Sequence, residues 1–294
     1  MQTFRKYLGG AAGNMAVALA RLGARVGLIS RVGDDAHGRF LLRYLQQEGV
    51  DTTMVRTDPQ YPTGLAFAEI HPPDRYRVLF YRKPCADIQV EVTDLDEDLL
   101  RGAELLVVAG TALSQPPSRE ATLWALARRR DAGGRNVLDV DWRPQFWRSE
   151  EEGRRLCDMA MGLCDVVIAN EPELAFAGGS DEPATAAARI HSLGPAQVIA
   201  KRGAAGAIGY STAGERVVVP GMPVTALNTL GCGDAFSAAY CWGLLQGWDL
   251  SRCLRFANAS GALVATRHAC SAAMPDQNEI ETLLAVGPRA LQKE

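Results

Sequence analysis

The chain has 294 residues, of which 47% are apolar and 22% charged, and its formal net charge is −3 at pH 7. This composition is ordinary for a globular protein, and near-neutral charge without a basic run argues against a nucleic-acid-binding surface. No apolar stretch approaches about 18 residues and the N-terminus lacks the apolar core of a signal peptide, which argues against a membrane or secreted protein. Because the seven cysteines form no C-x-x-C pair, we expect reduced thiols in a cytoplasmic protein.

The spacing of apolar residues predicts short strands that alternate with helices. In the first third of the chain we expect a helix at 15–22, a strand at 26–30, a helix at 39–48 and a hairpin of strands 64–71 and 76–82. The elements expected after residue 100 are, in order, Leu105–Ala109, Ser118–Ala132, Asn136–Val140, Glu150–Met161, Val166–Ala169, Glu171–Ala177, Ala184–Ser192, Val198–Lys201, Gly206–Tyr210, Arg216–Val219 and a helical segment from Asp234 to Arg267. This order predicts a mostly parallel sheet covered by helices on both faces, with the hairpin projecting as a lid. No repeat or linker marks a domain boundary.

The strongest local feature is Asn228-Thr229-Leu230-Gly231-Cys232-Gly233-Asp234, which runs directly into a helical pattern. Small residues let backbone N–H groups converge, and the positive end of the helix dipole favours an anion there. Asp234 stands where a carboxylate can accept a proton from a substrate hydroxyl. The alternative interpretation is that Gly233-Asp234 is only a turn and a helix cap.

Four further segments place glycines or polar side chains beside predicted strands or helices. Gly9–Asn14 opens the first helix but matches neither G-x-G-x-x-G nor a P-loop. Lys201–Gly206 joins two apolar runs, while Asn170–Glu173 and Asp139–Arg143 follow buried strands, at the edge where open α/β sheets bind ligands. Each segment is alternatively a plain turn, a solvated basic pair or a helix cap. Taken together they predict a phosphoryl-transfer site, which works by positioning and electrostatics.

The sequence resembles the PfkB (ribokinase-like) sugar kinases over essentially its whole length. The early signature of that family matches Gly9-Gly10-x-Ala12-x-Asn14-x-Ala16, and the late signature matches Asn228–Asp234 except at Cys232, where the family has Ala, Ser or Gly. The resemblance implies one kinase domain over residues 1–294, an α/β Rossmann-type three-layer sandwich with a mostly parallel central sheet and a small β lid at about 4–10 and 62–83. It also implies that the family's first strand, with an Asp that contacts sugar hydroxyls, is missing from this chain.

The same resemblance implies roles for individual residues. Asp234 is expected to be the base, and the backbone of Gly231, Cys232 and Gly233 to form the anion hole for the transferred phosphoryl group. ATP and Mg²⁺ are the expected cofactors, with Mg²⁺ held through water near Asn170 and Glu173 and by no direct protein ligand. The residues expected to line the nucleotide are Lys201, Gly203, Gly206 and Asn258, and those expected to meet the substrate are Gly10, Asn14, Arg82 and Arg143.

Two residue types bear on the choice of substrate and cation. Arg82 and Arg143 are candidates for binding a substrate carboxylate, because a guanidinium pairs with a carboxylate in a bidentate way. Each is alternatively a structural ion pair. Asn228 stands where many family members have the Asp of a monovalent-cation site, and the loss of that charge puts activation by such a cation in doubt.

Several segments resemble one branch of the family, the 5-dehydro-2-deoxygluconokinases of myo-inositol catabolism. They are residues 4–10, 80–82, 85–87, 139–144, 267–270 and 274–275. We therefore expect an ATP-dependent kinase of a keto-deoxy sugar acid, with 2-keto-3-deoxygluconate kinase and fructokinase as alternatives within the class. From another class, a truncated, non-catalytic nucleotide- or sugar-binding protein stays open. The expected partners are a small sugar acid and a second copy bound through the lid, with no nucleic acid and no membrane.

Overall fold

The structure of the protein is a computed structural model that describes residues 4–72 and 75–287. The helices within these ranges are α1 (Ala11–Arg21), α2 (Ala36–Gln47), α3 (Glu97–Gly102), α4 (Ser118–Asp131), α5 (Glu150–Met161), α6 (Glu171–Gly178), α7 (Pro183–Leu193), α8 (Cys232–Leu245), α9 (Leu250–Ala265) and α10 (Gln277–Val286). The strands are β1 (Ser30–Gly33), β2 (Val55–Asp58), β3 (Leu65–His71), β4 (Arg75–Tyr81), β5 (Leu105–Ala109), β6 (Arg135–Asp139), β7 (Val166–Asn170), β8 (Gln197–Lys201), β9 (Ala207–Ser211) and β10 (Arg216–Val219). The alternation predicted beyond residue 100 is confirmed.

A six-stranded sheet in the order β10-β9-β8-β7-β6-β5 forms the centre of the molecule. Strands β5 to β8 are parallel, whereas β9 and β10 are added antiparallel at one side. The carboxyl ends of the four parallel strands therefore meet at one edge. Ligands of open α/β sheets bind at such an edge.

Successive side chains of the central strands point to opposite faces and feed two separate cores. Val137 and Ile168 pack with α1, α8 and α9 on one face. Leu138 and Val167 pack with α4, α5, α6 and α7 on the other. Both faces are therefore covered, and the predicted three-layer α/β sandwich is confirmed. None of the helices in the described part of the chain combines the length and apolar character needed to cross a bilayer.

The predicted hairpin is present as the antiparallel pair β3–β4, separate from the central sheet. Strands β1 and β2 form a second small sheet, so the strand expected at 26–30 lies a few residues later, with only a single bridge at Gly27. Residues 4–9 adopt no helix or strand, but the Phe4 ring packs edge-on against Phe67 of the hairpin, 5.5 Å between centroids. That a further strand belongs before the Gly-Gly turn stays a prediction.

The helical segment expected from Asp234 to Arg267 is present, but it is divided into two helices. Gly247 has φ +68°, which glycine adopts without strain, and Asp249 caps α9 by accepting a hydrogen bond from the Arg252 N–H. The break folds α9 back along α8. This packing holds the N-terminal turn of α8 at the carboxyl edge of the sheet.

Candidate active site

The first turn of α8 forms a small concave backbone surface. Gly231 has φ +93° and caps the helix, and a methyl group in its place would lie 3.2 Å from the Cα of Cys270. Cys232 N donates to the Thr229 carbonyl at 3.3 Å, whereas within the described residues the N–H groups of Gly231 and Gly233 have no hydrogen-bond partner. Two backbone donors and the helix dipole are thus available to an anion. Burial raises the pKa of the Cys232 thiol to about 12, so this side chain stays neutral beside them.

Asp234, in the same turn, is held by the opposing helix α1. Asn14 Nδ2 donates to Asp234 Oδ2 at 2.7 Å, and Asn14 Oδ1 is buried without a partner in the described structure. Burial, together with the charge of Asp141, raises the pKa of Asp234 to about 7, although the Asn14 hydrogen bond opposes this shift. A carboxyl group of this kind can take up a proton near neutral pH. The Asn14 oxygen therefore has unused acceptor capacity.

Lys201, at the carboxyl end of β8, is engaged by protein groups. Its Nζ lies 2.8 Å from Asp139 Oδ2 and 3.4 Å from Ser237 Oγ. The Ser237 hydroxyl donates to the same Asp139 oxygen. Burial lowers the pKa of Lys201, but the charges of Asp139 and Glu173 outweigh it and raise the pKa above its usual range. The ammonium is therefore a permanent charge under the α8 turn.

Asp141 and Arg143 lie next to this network, just after β6. Asp141 has φ +37°, an unfavourable backbone conformation for a non-glycine residue, and its carboxylate accepts from Thr111 Oγ1 at 3.2 Å. Arg143 lies 2.9 Å from Asp141 and 3.9 Å from Glu173. Burial raises the pKa of Asp141, and the Arg143 charge opposes this. Arg143 is partly exposed and thus accessible to a further carboxylate.

Asn170 and Glu173 cap α6 reciprocally at the carboxyl end of β7. Glu173 N donates to Asn170 Oδ1 at 2.9 Å, and Asn170 N donates to Glu173 Oε2 at 2.8 Å. Burial raises the pKa of Glu173, opposed by the charge of Lys201. The described residues contain no group of three or more His, Cys, Asp or Glu side chains placed to hold a metal ion. The amide and carboxylate oxygens of Asn170 and Glu173 are of the type that Mg²⁺ and its water shell accept.

The residues expected to line the nucleotide gather beside α9. Gly206 has φ +95°, and a methyl group there would overlap the Val219 carbonyl. Asn258 Nδ2 donates to the Pro220 carbonyl at 3.3 Å, which ties α9 to the end of β10. Gly203 begins the tight turn between β8 and β9. The structure thus brings Gly206 and Asn258 together at the end of β10, with Gly203 in the same turn as Gly206.

The two remaining predicted residues differ in their surroundings. Gly10 caps α1 at φ +85°, and a side chain there would meet open space, which leaves room for a ligand. Arg82 follows β4 and is ion-paired with Asp87 at 2.6 Å, with its guanidinium over the Phe146 ring. Arg82 is therefore already matched by a carboxylate.

Two residues of the site escaped the sequence analysis. Thr111 follows β5 at the same sheet edge as the other polar segments, and that position was its signal. Ser237 lies three residues after Asp234 and thus on the same face of α8, a spacing that the helical pattern made available.

The site lies at the carboxyl edge of a three-layer sandwich. It combines a half-buried carboxylate at a helix start with two open backbone donors and a buried ammonium. This arrangement is typical of enzymes that transfer phosphoryl groups. Residues 1–277 match the family described as pfkB family carbohydrate kinase, and the chain belongs to this family. It is therefore a phosphotransferase that acts on a sugar.

Individual relatives cover nearly the whole chain. The 5-dehydro-2-deoxygluconokinase of Geobacillus kaustophilus is 38% identical over 287 residues, which are 96% of this chain and 86% of the relative. A protein described as a Ribokinase II from E. coli, solved in complex with ATP and Mg²⁺, has a TM-score of 0.88 at 27% identity and covers 97% of this chain and 94% of its own. A fructokinase of Vibrio cholerae, solved with fructose, ADP and a potassium ion, has a TM-score of 0.86 at 30% identity and covers 94% and 90%.

Proposed function

We propose that the protein transfers the γ-phosphoryl group of ATP to a hydroxyl of 5-dehydro-2-deoxygluconate. The observation that carries this proposal is the Asn14–Asp234 hydrogen bond beside the free N–H groups of Gly231 and Gly233. One helix turn thus carries a candidate proton acceptor and two N–H groups that can donate hydrogen bonds to phosphoryl oxygens. The substrate is supported by eight relatives at 35–38% identity that carry the name of this kinase.

Asp234 acts as the base in the proposed step. Its carboxylate takes the proton of the acceptor hydroxyl, whose oxygen forms the new bond to the γ-phosphorus. The bond from that phosphorus to the bridging oxygen breaks, and ADP leaves with the electron pair. Gly231 and Gly233 donate to the phosphoryl oxygens as charge develops. When bound to the phosphates, Mg²⁺ neutralises part of their charge, and Asn170 and Glu173 contact its water shell.

An acidic substrate is favoured by Arg143. The Arg143 side chain is 40% exposed, at 2.9 Å from Asp141, and its pKa is affected by charges that include Asp234 and Tyr76 of the hairpin. Its guanidinium is therefore near both the proposed base and the hairpin. Arg82 is a second candidate, provided that it exchanges Asp87 for the substrate.

We propose that no monovalent cation is required. Asn228 Nδ2 donates to the Ala269 carbonyl at 3.3 Å, and Asn228 Oδ1 accepts from Leu230 N at 3.0 Å. Both ends of this neutral amide are thus used to hold the loop before α8. A cation would find no negative charge at this side chain.

The proposed location of the protein is the cytoplasm, and its proposed pathway is the degradation of myo-inositol. All seven cysteines are free, as in a reducing compartment. The hairpin's outer face exposes Phe67, Leu79 and Tyr81, and Glu69 and Arg77 face each other across the strands beside it. An apolar patch flanked by both charge signs suits a second copy of the chain.

The test is ADP release by the purified chain with Mg²⁺-ATP and, in parallel, 5-dehydro-2-deoxygluconate, 2-keto-3-deoxygluconate and fructose. We expect preference for the first acid, and the same rate when K⁺ is replaced by a tetraalkylammonium ion. Asp234→Asn should lower kcat by about 10²–10⁴-fold, because the base is lost. Since the pKa of Asp234 is about 7, kcat/KM should fall about tenfold per pH unit below pH 7.

Asp249→Asn is the matched control. Asp249 also stands at a helix start, but it only caps α9, and Asn caps a helix equally well. It should keep the wild-type rate. A chain that binds ATP but releases no ADP with any of the three sugars would contradict the proposal, and preference for fructose would contradict the role of Arg143.

A further inference from the structure

A buried network ties three elements together beneath the first turn of α8. Lys201 at the end of β8, Asp139 at the end of β6 and Ser237 of α8 meet at one carboxylate oxygen, Asp139 Oδ2. The Lys201 side chain is 13% exposed and that of Asp139 only 4%. Loss of either partner of such an ion pair would leave an unpaired buried charge, so both side chains are held in place.

The network lies directly next to the reacting groups. Ser237 lies three residues after Asp234, so both side chains project from adjacent turns on one face of α8. A methyl group at Gly233 would lie 3.6 Å from Lys201 Nζ, so the ammonium is just below the backbone donors. Helix α8 is thus tied to Lys201 and Asp139 through Ser237, one turn after Asp234, while Asn14 holds Asp234 from the side.

The charges around the site give Lys201 a second effect. Four carboxyl groups lie together there: Asp139, Asp141, Glu173 and Asp234. Lys201 and Arg143 oppose their charges, and Arg143 is the group that a substrate acid would engage. With substrate bound, Lys201 still favours the ionised form of Asp234.

We propose that Lys201 is a positioning residue of the phosphoryl-transfer site, which fixes the first turn of α8 and the carboxylate of Asp234 through Asp139 and Ser237. This inference rests on the proposed function, and it gives Lys201 a role other than the nucleotide contact that the family resemblance implies. Nζ is already engaged by two protein groups, and it acts through them.

The test compares Lys201→Met with Arg189→Met, which breaks a 2.7 Å ion pair to Asp158 between α7 and α5, away from the site. The titration of the Asp234 carboxyl is followed by ¹³C NMR, with Asp234→Asn to assign the signal, beside kcat and KM for ATP. The groups that face Asp234 are Asn14 of α1, Asp139, Asp141 and Arg143 after β6, Lys201 of β8, Cys232 of α8 and Cys270 after α9.

In Lys201→Met we expect kcat to fall about tenfold or more and KM for ATP to change less than about twofold. The Asp234 titration should move to higher pH by about half a unit or more, since an opposing positive charge is lost. Lys201→Arg should restore part of both effects, and Arg189→Met should show neither. A rise in KM for ATP with unchanged kcat and titration would overturn the proposal in favour of a nucleotide contact.

Ser237→Ala covers the case in which Lys201→Met does not fold. It leaves the ion pair intact and removes only the tie to α8, so we expect kcat to fall about threefold at constant KM for ATP. A wild-type kcat in folded Ser237→Ala would overturn the positioning role. If the wild-type chain phosphorylates none of the sugars, the proposed function is refuted. The Asp234 titration needs no turnover, so the effect of Lys201 on it can still be measured in that case.

Discussion

The start of α8 and the β3–β4 hairpin are built in opposite ways. At the α8 turn, Asp234 and Lys201 are each fixed by side chains from other elements, and the polar groups are buried. In the hairpin, the outer residues Leu79 and Tyr81 are largely exposed, and the inner face rests on Phe146 through Phe80 at 5.1 Å between ring centroids. The proposed chemistry thus lies at buried ends of strands and helices, whereas the proposed lid is a hairpin with one exposed face.

The two candidate arginines show the same contrast. Arg143 belongs to the rigid edge, where its partners Asp141 and Glu173 also face the reacting groups. Arg82 belongs to the base of the hairpin, where it is already ion-paired with Asp87. The difference predicts separable effects on catalysis, substrate binding and assembly.

The largest effect is expected at the rigid turn, in Gly231→Ala. The substitution strains a φ of +93° and places a methyl group 3.2 Å from Cys270, so the turn must shift and its donors move. We expect kcat to fall about 10²-fold, the loss typical of one displaced oxyanion donor. Steady-state kinetics at saturating substrates measure this.

Gly247→Ala is its control, because Gly247 also has a positive φ, +68°, but open space around it. Both variants should lose about 1 kcal/mol of folding stability from backbone strain, measured by urea unfolding, and only Gly231→Ala should lose kcat. Equal kcat in the two variants would show that the turn tolerates displacement and that the comparison with the hairpin is mistaken.

An intermediate effect is expected for the arginines. Arg143→Gln should raise KM for the preferred sugar acid about tenfold, the equivalent of about 1.4 kcal/mol, and leave KM for fructose nearly unchanged. Arg82→Gln should raise the acid's KM by only about threefold, because Arg82 must leave Asp87 to bind substrate, and it should lower the melting temperature. An equal rise for acid and fructose in Arg143→Gln would instead assign Arg143 to a structural ion pair.

The rigid part of the molecule is also the part that the sequence predicts well. Strands β5 and β7 contain the continuous apolar runs typical of strands covered on both faces, and Glu150–Met161 was predicted to the residue. Strand β2 has no such run, since its middle residues are exposed. The α8–α9 break depends on Gly247 and Asp249, whose signals are local but were outweighed by the apolar spacing on either side.

The candidate site divides along the same line. The Gly-rich turn and Asp234 were predicted because backbone donors and a helix start are local properties of the sequence. The partners of these groups are long-range: Asn14 meets Asp234 across 220 positions, and Lys201 meets Asp139 across 62. The pairing of Arg82 with Asp87 was equally unpredictable, because a separation of five positions in a loop does not fix the distance between two side chains.

The smallest effect on catalysis is expected from the hairpin's outer face. Leu79→Glu adds a charge to a residue that is 58% exposed and faces Phe67 across the strands, so the fold should persist while association through this face weakens. We expect the mass by light scattering to fall from dimer to monomer, with KM for the sugar raised about twofold and kcat unchanged. Val286→Glu, on α10 and 57% exposed, is the matched control and should leave both mass and KM unaltered. A dimer that persists in Leu79→Glu would remove the hairpin from the interface and leave it as a lid alone, while a large loss of kcat would mean that the hairpin is as much part of the catalytic machinery as the α8 turn.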